Sequence, residues 1–314
     1  MLYHLFTDHT MHCRRHFRTV AMWLLTLPGL SGCYLNINIG DSDDDDTQQP
    51  SQAAYWTPAP GTSWHIQLQN LDQISIDADV QIYEVDLFDG AQGSNSVINQ
   101  LKQQNKQVVC YFSAGTKEDW RDDAAQLTDE ALIPDGELQD WPGETWLNIS
   151  DQTILEQVIQ PVMEARLDLA SDAGCDGVDP DNVDAYTNTD ETHGLISYAD
   201  QLAYNIWLAQ EAHKRDLSVG LKNDLNQLDT LVTHFDFAVN EQCFAYNECS
   251  VYENTFLSAG KAVFNLEYYQ DGSEGEISST EFLNSACPYF RQAGITGVWK
   301  QGVALDGKNI LTCQ

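Results

Sequence analysis

Carboxylates recur where apolar runs stop. Asp86 closes Ile82-Tyr83-Glu84-Val85, Asp179-Pro180-Asp181-Asn182 follows Cys175–Val178, Glu241 follows Phe237–Asn240, and Glu267 follows Val263–Leu266. Asn and Asp at such places are ordinary turn and cap residues, but Glu is not, so Glu241 and Glu267 need another explanation. Several carboxyls converging on one mouth suit acid/base plus nucleophile chemistry on a sugar acetal: one must be protonated to assist the leaving oxygen, another ionised to attack or steady an oxocarbenium-like centre. Mutual repulsion separates their pKa values. Period two places Asp179 and Asp181 on one strand face, with Asp176 on the other parity. Lys222 and Asn223 end another run, and Lys222 is expected to hold a catalytic carboxylate by an ion pair. Tyr83, Tyr111, Trp64 and Trp299 are candidates to stack on sugar faces. No metal is expected, because the histidines beyond the N-terminal segment, His65, His193, His213 and His234, have no ligand-type spacing. No cofactor is expected either.

Chemistry at strand ends needs strands to position it. Eight β-rich runs occur in order: 65–68, 81–86, 107–112, 175–179, 217–221, 235–239, 261–266 and 297–300. Eight strands with intervening helices over residues 55–314 fit a single-domain α/β fold, the (β/α)8 TIM barrel, of about 250 residues. Leu155, Val158, Val162, Ala165 and Leu169 mark one helix, which Pro161 should kink or split. In Tyr198–Lys214, helical spacing puts Leu202, Ile206, Ala209 and His213 on one side, with His213 at a surface end. The stretch from Thr116 to Asn148 holds Trp120, Trp141 and Trp146 and reads as a long irregular loop of the functional kind.

The 314 residues carry 15 Lys+Arg against 48 Asp+Glu, a formal net charge of −33. That excess excludes nucleic acid and anionic membrane surfaces as partners, since both are bound through basic side chains. Residues 1–33 read as an export signal: Arg14, Arg15 and Arg18 precede the short apolar run Val20–Leu27, and Leu30-Ser31-Gly32-Cys33 resembles a lipoprotein lipobox with Cys33 as the lipidated residue. Loss of residues 1–32 takes 15 basic and 48 acidic residues to 12 and 47. Residues 34–54, with Asp41-Ser42-Asp43-Asp44-Asp45-Asp46, form an acidic linker with almost nothing to bury. The expected location is exported and lipid-anchored to the cell envelope. Cysteine usage agrees, because six cysteines beyond Cys33 permit disulfides outside the cytoplasm. Cys243–Cys249 brackets a short loop and Cys287–Cys313 would staple the C-terminus. The apolar flanks of Cys110 and Cys175 suit buried free thiols.

The ordered motifs resemble glycoside hydrolase family 114, the endo-α-1,4-polygalactosaminidase-like proteins. They run through Tyr83-Glu84-Val85-Asp86-Leu87-Phe88-Asp89, Val109–Gly115, Glu118, Trp120-Arg121, Asp123, Trp141-Pro142-Gly143-Glu144, Trp146-Leu147, Asp176–Asp184, Gly220–Asn223, Phe235–Cys243 and Gly260–Phe264. The chain departs from the pattern around His65, where the family leads one to expect an aromatic nearer that position, at Asn148 in place of Asp, and at Asp179, where Glu is frequent. The resemblance implies a barrel that cleaves α-1,4-linked galactosamine polymers with carboxylates after strands four and six. These map to Asp181 and Glu241, with Asp179 as the competing fourth-strand candidate. A cationic amino-sugar polymer would give the acidity a purpose, with Asp86 and Glu267 in an attracting groove. The expected partner is this polysaccharide, met by a monomer. The rival reading is a non-catalytic glycan-binding lipoprotein, or a hydrolase of a different α-linked amino-sugar glycan.

Overall fold

The computed structural model describes residues 55–273 and 275–313. The signal, Cys33 and the acidic linker lie outside the described residues. Strand β1 is Trp64–Gln67, β2 Ile82–Asp86 and β3 Gln107–Ser113. An excursion follows, with β4 (Thr116–Glu118), β5 (Leu132–Glu137) and β6 (Glu144–Leu147) in an antiparallel sheet ordered β4-β6-β5. The main sheet resumes with β7 (Gly177–Asp181), β8 (Ser218–Lys222), β9 (Phe237–Glu241), β10 (Ala262–Tyr269) and β11 (Thr296–Gln301), and ends in β12 (Ile310–Thr312). Its order is β1-β2-β3-β7-β8-β9-β10-β11-β12; every neighbouring pair is parallel except β11 with β12. The sheet curls into the TIM barrel expected from the eight runs. Its seam is closed by single contacts in place of a ladder: Thr296 Oγ1 donates to Thr62 O at 2.9 Å, and Leu68 N and Gln69 N donate to Leu305 O at 2.8 and 2.9 Å.

Strand alternation builds two cores. Trp64, Ile66, Ile82, Val109, Phe237, Val239, Phe264, Leu266 and Val298 pack together inside the curl. Their neighbours of opposite parity, including Tyr83, Val85, Cys110, Val178, Leu221, Ala238 and Trp299, pack outward against the helices. Each such side chain contributes roughly 1.5–3 kcal/mol by leaving water. Gly220 is needed in the inner layer, because a Cβ there would sit 2.4 Å from the Phe237 ring.

The connections are less regular than the barrel pattern implies. Only a 3-10 turn, Leu71–Gln73, stands between β1 and β2. Helix α1 (Val97–Gln103) starts on a Ser96 cap, and α2 (Gln160–Ala173) ends at Gly174, whose φ is +89°. Pro161 lies inside a helical run that is continuous from Gln152 to Ala173, and the π turn Leu155–Ile159 just before it accommodates the N–H that proline lacks. Helix α3 (Tyr198–His213) opens with a Ser197/Asp200 capping box. Its most buried face is Gln201, Tyr204, Asn205, Leu208, Ala209 and Ala212, turned from the expected one, with Leu202 and Ile206 half-buried beside it. The reason is polar: Tyr204 OH donates to Ala114 O at 2.7 Å, and Asn205 Nδ2 to Val183 O at 2.9 Å. His213 is half-buried and lies 2.8 Å from Asp236.

Three disulfides close the fold. Cys243 bonds Cys249 in the loop after β9, and Cys287, at the start of α4 (Cys287–Ala293), bonds Cys313. Cys110 and Cys175 are bonded to each other and so are not free thiols; their apolar surroundings reflect a bridge from β3 to the approach of β7.

Candidate active site

Asp181 and Glu241 end β7 and β9 and line one cleft of about 470 Å³ at the carboxyl ends of the strands. Each strand is halted by a non-glycine residue in the left-handed region, Asn182 at φ 61° and Gln242 at φ 65°; Asn223, after β8, is at 49°. Such residues are uncommon and cost of order 1–3 kcal/mol each, a burden that clusters at functional sites. The rim is also tightly packed: a Cβ on Gly115 would fall 1.7 Å from Asn182 O.

Both carboxylates are held by tyrosines. Tyr111 OH donates to Asp181 Oδ2 at 2.9 Å, and Asn182 N donates to Asp181 Oδ1 at 2.7 Å. Tyr268 OH donates to Glu241 Oε1 at 2.6 Å, while Asn223 Nδ2 donates to Oε2 at 3.3 Å and Asn223 Oδ1 accepts from Glu241 N at 2.9 Å. Burial and the adjoining carboxylate push each tyrosine well above its ordinary pKa, so both stay donors.

Lys222 lies under the pair, buried, with Nζ 3.1 Å from Asp179 Oδ2 and 3.5 Å from Asp181 Oδ2. Burial alone would lower its pKa; Asp179, Asp181, Glu241 and Glu84 outweigh that and raise it, so it remains charged. Asp179 is completely buried below the cleft. Burial pushes its carboxyl up to about 6 against the pull of Lys222. Beside it, Glu84 is driven well above the carboxylate range by burial and by the Asp179 charge. Glu84 Oε2 accepts from Trp64 Nε1 at 3.1 Å, whereas Glu84 Oε1 and Asp179 Oδ1 are buried acceptors lacking a donor. A proton kept on Glu84 and donated to Asp179 satisfies both oxygens.

Of the residues expected at the site, Asp86, Tyr111, Asp181, Lys222, Asn223 and Glu241 line the cleft. Asp86 is not free there: Arg121 Nη1 and Nη2 bond its two oxygens at 3.0 and 2.6 Å, and the same guanidinium grips Glu118. Tyr83, Glu267 and Trp299 do not reach the cleft, because each stands one residue off the inward parity. Tyr83 OH accepts from Asp77 N at 2.6 Å, and Trp299 Nε1 donates to Ile277 O at 2.8 Å. Glu267 accepts from Phe244 N and Asn265 Nδ2, both at 2.8 Å, and so pins the loop after β9; burial pushes it up to about 7.

Residue roles that the sequence did not assign are equally plain. Glu144 enters the cleft from β6, and burial with the charges of Glu118 and Asp181 lifts it to about 7 against a 2.8 Å hydrogen bond from Thr116. Asp184 is raised to about 6 by burial and then by Asp181 and Glu241. Tyr268 has the same inward parity as Leu266, a signal that was available in β10. Trp120 and Trp141 come from the excursion after β3. Among the described residues, no group of three or more His, Cys, Asp or Glu could hold a metal ion.

The cleft is therefore a carboxylate-rich groove at the carboxyl ends of a barrel's strands, and the chain that builds it is similar to known proteins to different degrees. The structure of Aspergillus fumigatus Ega3 in complex with galactosamine is 36% identical, covers 83% of this chain and 99% of that one, and superposes with a TM-score of 0.71. The glycoside hydrolase domain of PelA from Pseudomonas aeruginosa is 12% identical over 78% of this chain and 95% of that one, with a TM-score of 0.54, and shares the fold alone. A search of curated proteins returns no match. The family model described as Glycoside-hydrolase family GH114 matches residues 45–313. With nearly the whole barrel spanned by that match, the chain belongs to glycoside hydrolase family GH114.

Proposed function

We propose that this glycosidase hydrolyses a polysaccharide containing α-1,4-linked galactosamine, with Asp181 and Glu241 as the catalytic carboxylates. The observation that carries the reading is their joint placement: two acids distant in sequence line one cleft, each positioned by a tyrosine hydroxyl. Glu241 acts as the general acid/base that protonates the leaving glycosidic oxygen. Asp181, with the Lys222 ammonium beside it, attacks or steadies the anomeric centre. Asp179 is excluded from contact with sugar by its complete burial and serves as the anion that fixes Lys222. The substrate class is supported by galactosamine in the complex of the 36% identical Ega3. It is also supported by charge, since the cleft is lined by eight acidic and two basic residues. Deacetylated galactosamine is cationic, and such a lining attracts it while repelling acidic glycans.

The test is reducing-end release from partially deacetylated α-1,4-galactosaminan. Glu241→Gln and Asp181→Asn are each expected to slow turnover by about 10²–10⁴-fold; near-normal turnover in either removes that residue from its role.

The site of action follows from the same reading: a lipid on Cys33 anchors the protein to the cell envelope, and residues 34–54 tether the barrel. Three disulfides suit an oxidising compartment. Among the described residues no helix is long and apolar enough to cross a membrane. Cys33→Ala should release the protein from the membrane fraction, and retention there would refute the anchor.

A further inference from the structure

Trp120 and Trp141 are 53% and 46% exposed, whereas Trp64, Trp146 and Trp299 are 2–5% exposed. Neither exposed indole belongs to a core cluster. Both line the cleft that holds Asp181 and Glu241.

Their placement is built by the excursion sheet. Strands β4 and β6 pair as far as Glu118 opposite Glu144, and Asp119 N donating to Gly143 O at 3.0 Å extends the ladder. Trp120 leaves one strand just past that point and Trp141 enters the other just before it, so both stand at the same end of the ladder. Gly143 adopts φ +97°, and a Cβ on it would lie 3.0 Å from Trp120 Cζ3; the indole rests against bare backbone there. Beside the platform, Asp89 and Asp122 are exposed cleft residues and form no ion pair among the described residues, while Arg121 is occupied by Asp86 and Glu118.

We propose that Trp120 and Trp141 form a rim platform that binds a further, positively charged hexosamine unit of the polymer, away from the bond being cut. An indole face attracts both the apolar face of a sugar and a nearby ammonium, and the unpaired carboxylates give the platform the matching sign. The proposal rests on the galactosamine-polymer reading and adds chain-length selectivity to it.

The experiment measures kcat/KM on a ladder of α-1,4-galactosamine oligosaccharides for the wild-type protein, Trp120→Ala and Trp141→Ala, with thermal melts to establish that each variant is folded. The wild-type value is expected to climb with length. Each variant should fall behind by about 3- to 30-fold on the longest oligosaccharides and by a smaller factor on the shortest, with Trp120→Phe recovering part of the loss. A wild-type protein that cuts none of the ladder refutes the substrate reading. Wild-type cutting with variants that keep its rate, or lose the same factor at every length, overturns the platform.

Discussion

Replacing Lys222 by Met tests how the floor of the cleft is held. The substitution keeps most of the apolar stem and removes the ammonium, which lies 3.1 Å from Asp179 Oδ2 and 3.5 Å from Asp181 Oδ2. At an effective dielectric of about 20, each contact is worth about 5 kcal/mol of attraction. Burying the lysine offsets much of that. Deleting one partner of a buried pair nevertheless costs about 3–5 kcal/mol, because the other charge is stranded. At roughly 2–4 °C of melting temperature per kcal/mol for a domain of this size, Lys222→Met should melt about 10 °C lower near neutral pH.

The penalty must depend on pH, with a defined sign. Asp179 titrates at about 6 in the folded protein, above the ~4 of an unfolded aspartate. A carboxyl raised on folding contributes stability that is complete below the unfolded value and lost as pH climbs through the folded one. Without Lys222 the Asp179 carboxyl rises further, since the lysine was lowering it. The variant therefore goes on losing stability above pH 6, where the wild type has levelled off. Melting curves of both proteins from pH 4 to 8 should show a small gap at the acid end that widens towards neutrality. A gap that is constant, or widest near pH 4, would mean that Lys222 acts by packing and that the charge argument is wrong.

Three further outcomes are expected. Tyr268→Phe deletes the 2.6 Å bond to Glu241 Oε1; a hydrogen bond to a charged group is worth about 1.5–3 kcal/mol, so kcat should drop roughly 10- to 100-fold in steady-state assays without loss of fold. For the bridges, chain entropy predicts that opening Cys110–Cys175, 65 residues apart, costs about 4 kcal/mol, against about 2 for Cys243–Cys249, 6 apart; urea unfolding of the two double-serine variants should rank them in that order. Hydrolysis of the cationic polymer should weaken as salt is raised past ~0.15 M, where the screening length falls to about 8 Å, and a flat response would separate the cleft's charge from substrate capture.

Much of this was legible because strands announce themselves. All eight parallel runs lie within three residues of their observed ends, the largest gap being at β10, which runs on to Tyr269, and β-branched density with flanking turn residues was signal enough. The sheet β4-β6-β5 was not legible. Its strands are short, β5 contains Pro134 and Gly136, and its pairing joins segments whose register depends on the barrel beneath. Helix α3 misled for a different reason. Periodicity counts apolar residues, and this helix buries Gln201 and Asn205 to hold polar loops, so the apolar stripe and the buried face diverge. The bridge between Cys110 and Cys175 was hidden by its own environment, since a half-cystine in an apolar wall has the same neighbours as a buried thiol.

The site was legible to the level of strand ends but not of parity. Tyr83, Glu267 and Trp299 have suitable chemistry in suitable strands, and each is displaced from the cleft by one residue, which in a strand reverses the face. Parity follows once the strand registers are known. If Asp179 and Asp181 point inward, so must Gly177, and the neighbouring registers Val109–Gly177 and Tyr111–Asp179 then turn Val109 and Tyr111 inward and Cys110 outward. The same step carried to β10 selects Leu266 and Tyr268 over Glu267. Depth was the remaining unknown. Asp181 lies two residues beyond Asp179, about 6.6 Å further along the strand, and that single layer separates a carboxylate at the cleft from one sealed against Lys222. A carboxylate's usefulness in this barrel is thus set by its level along the strand as much as by its face. The level is fixed where Asn182 and Gln242 turn left-handed, so moving either break by one residue would bury or misdirect an acid whose chemistry is unchanged.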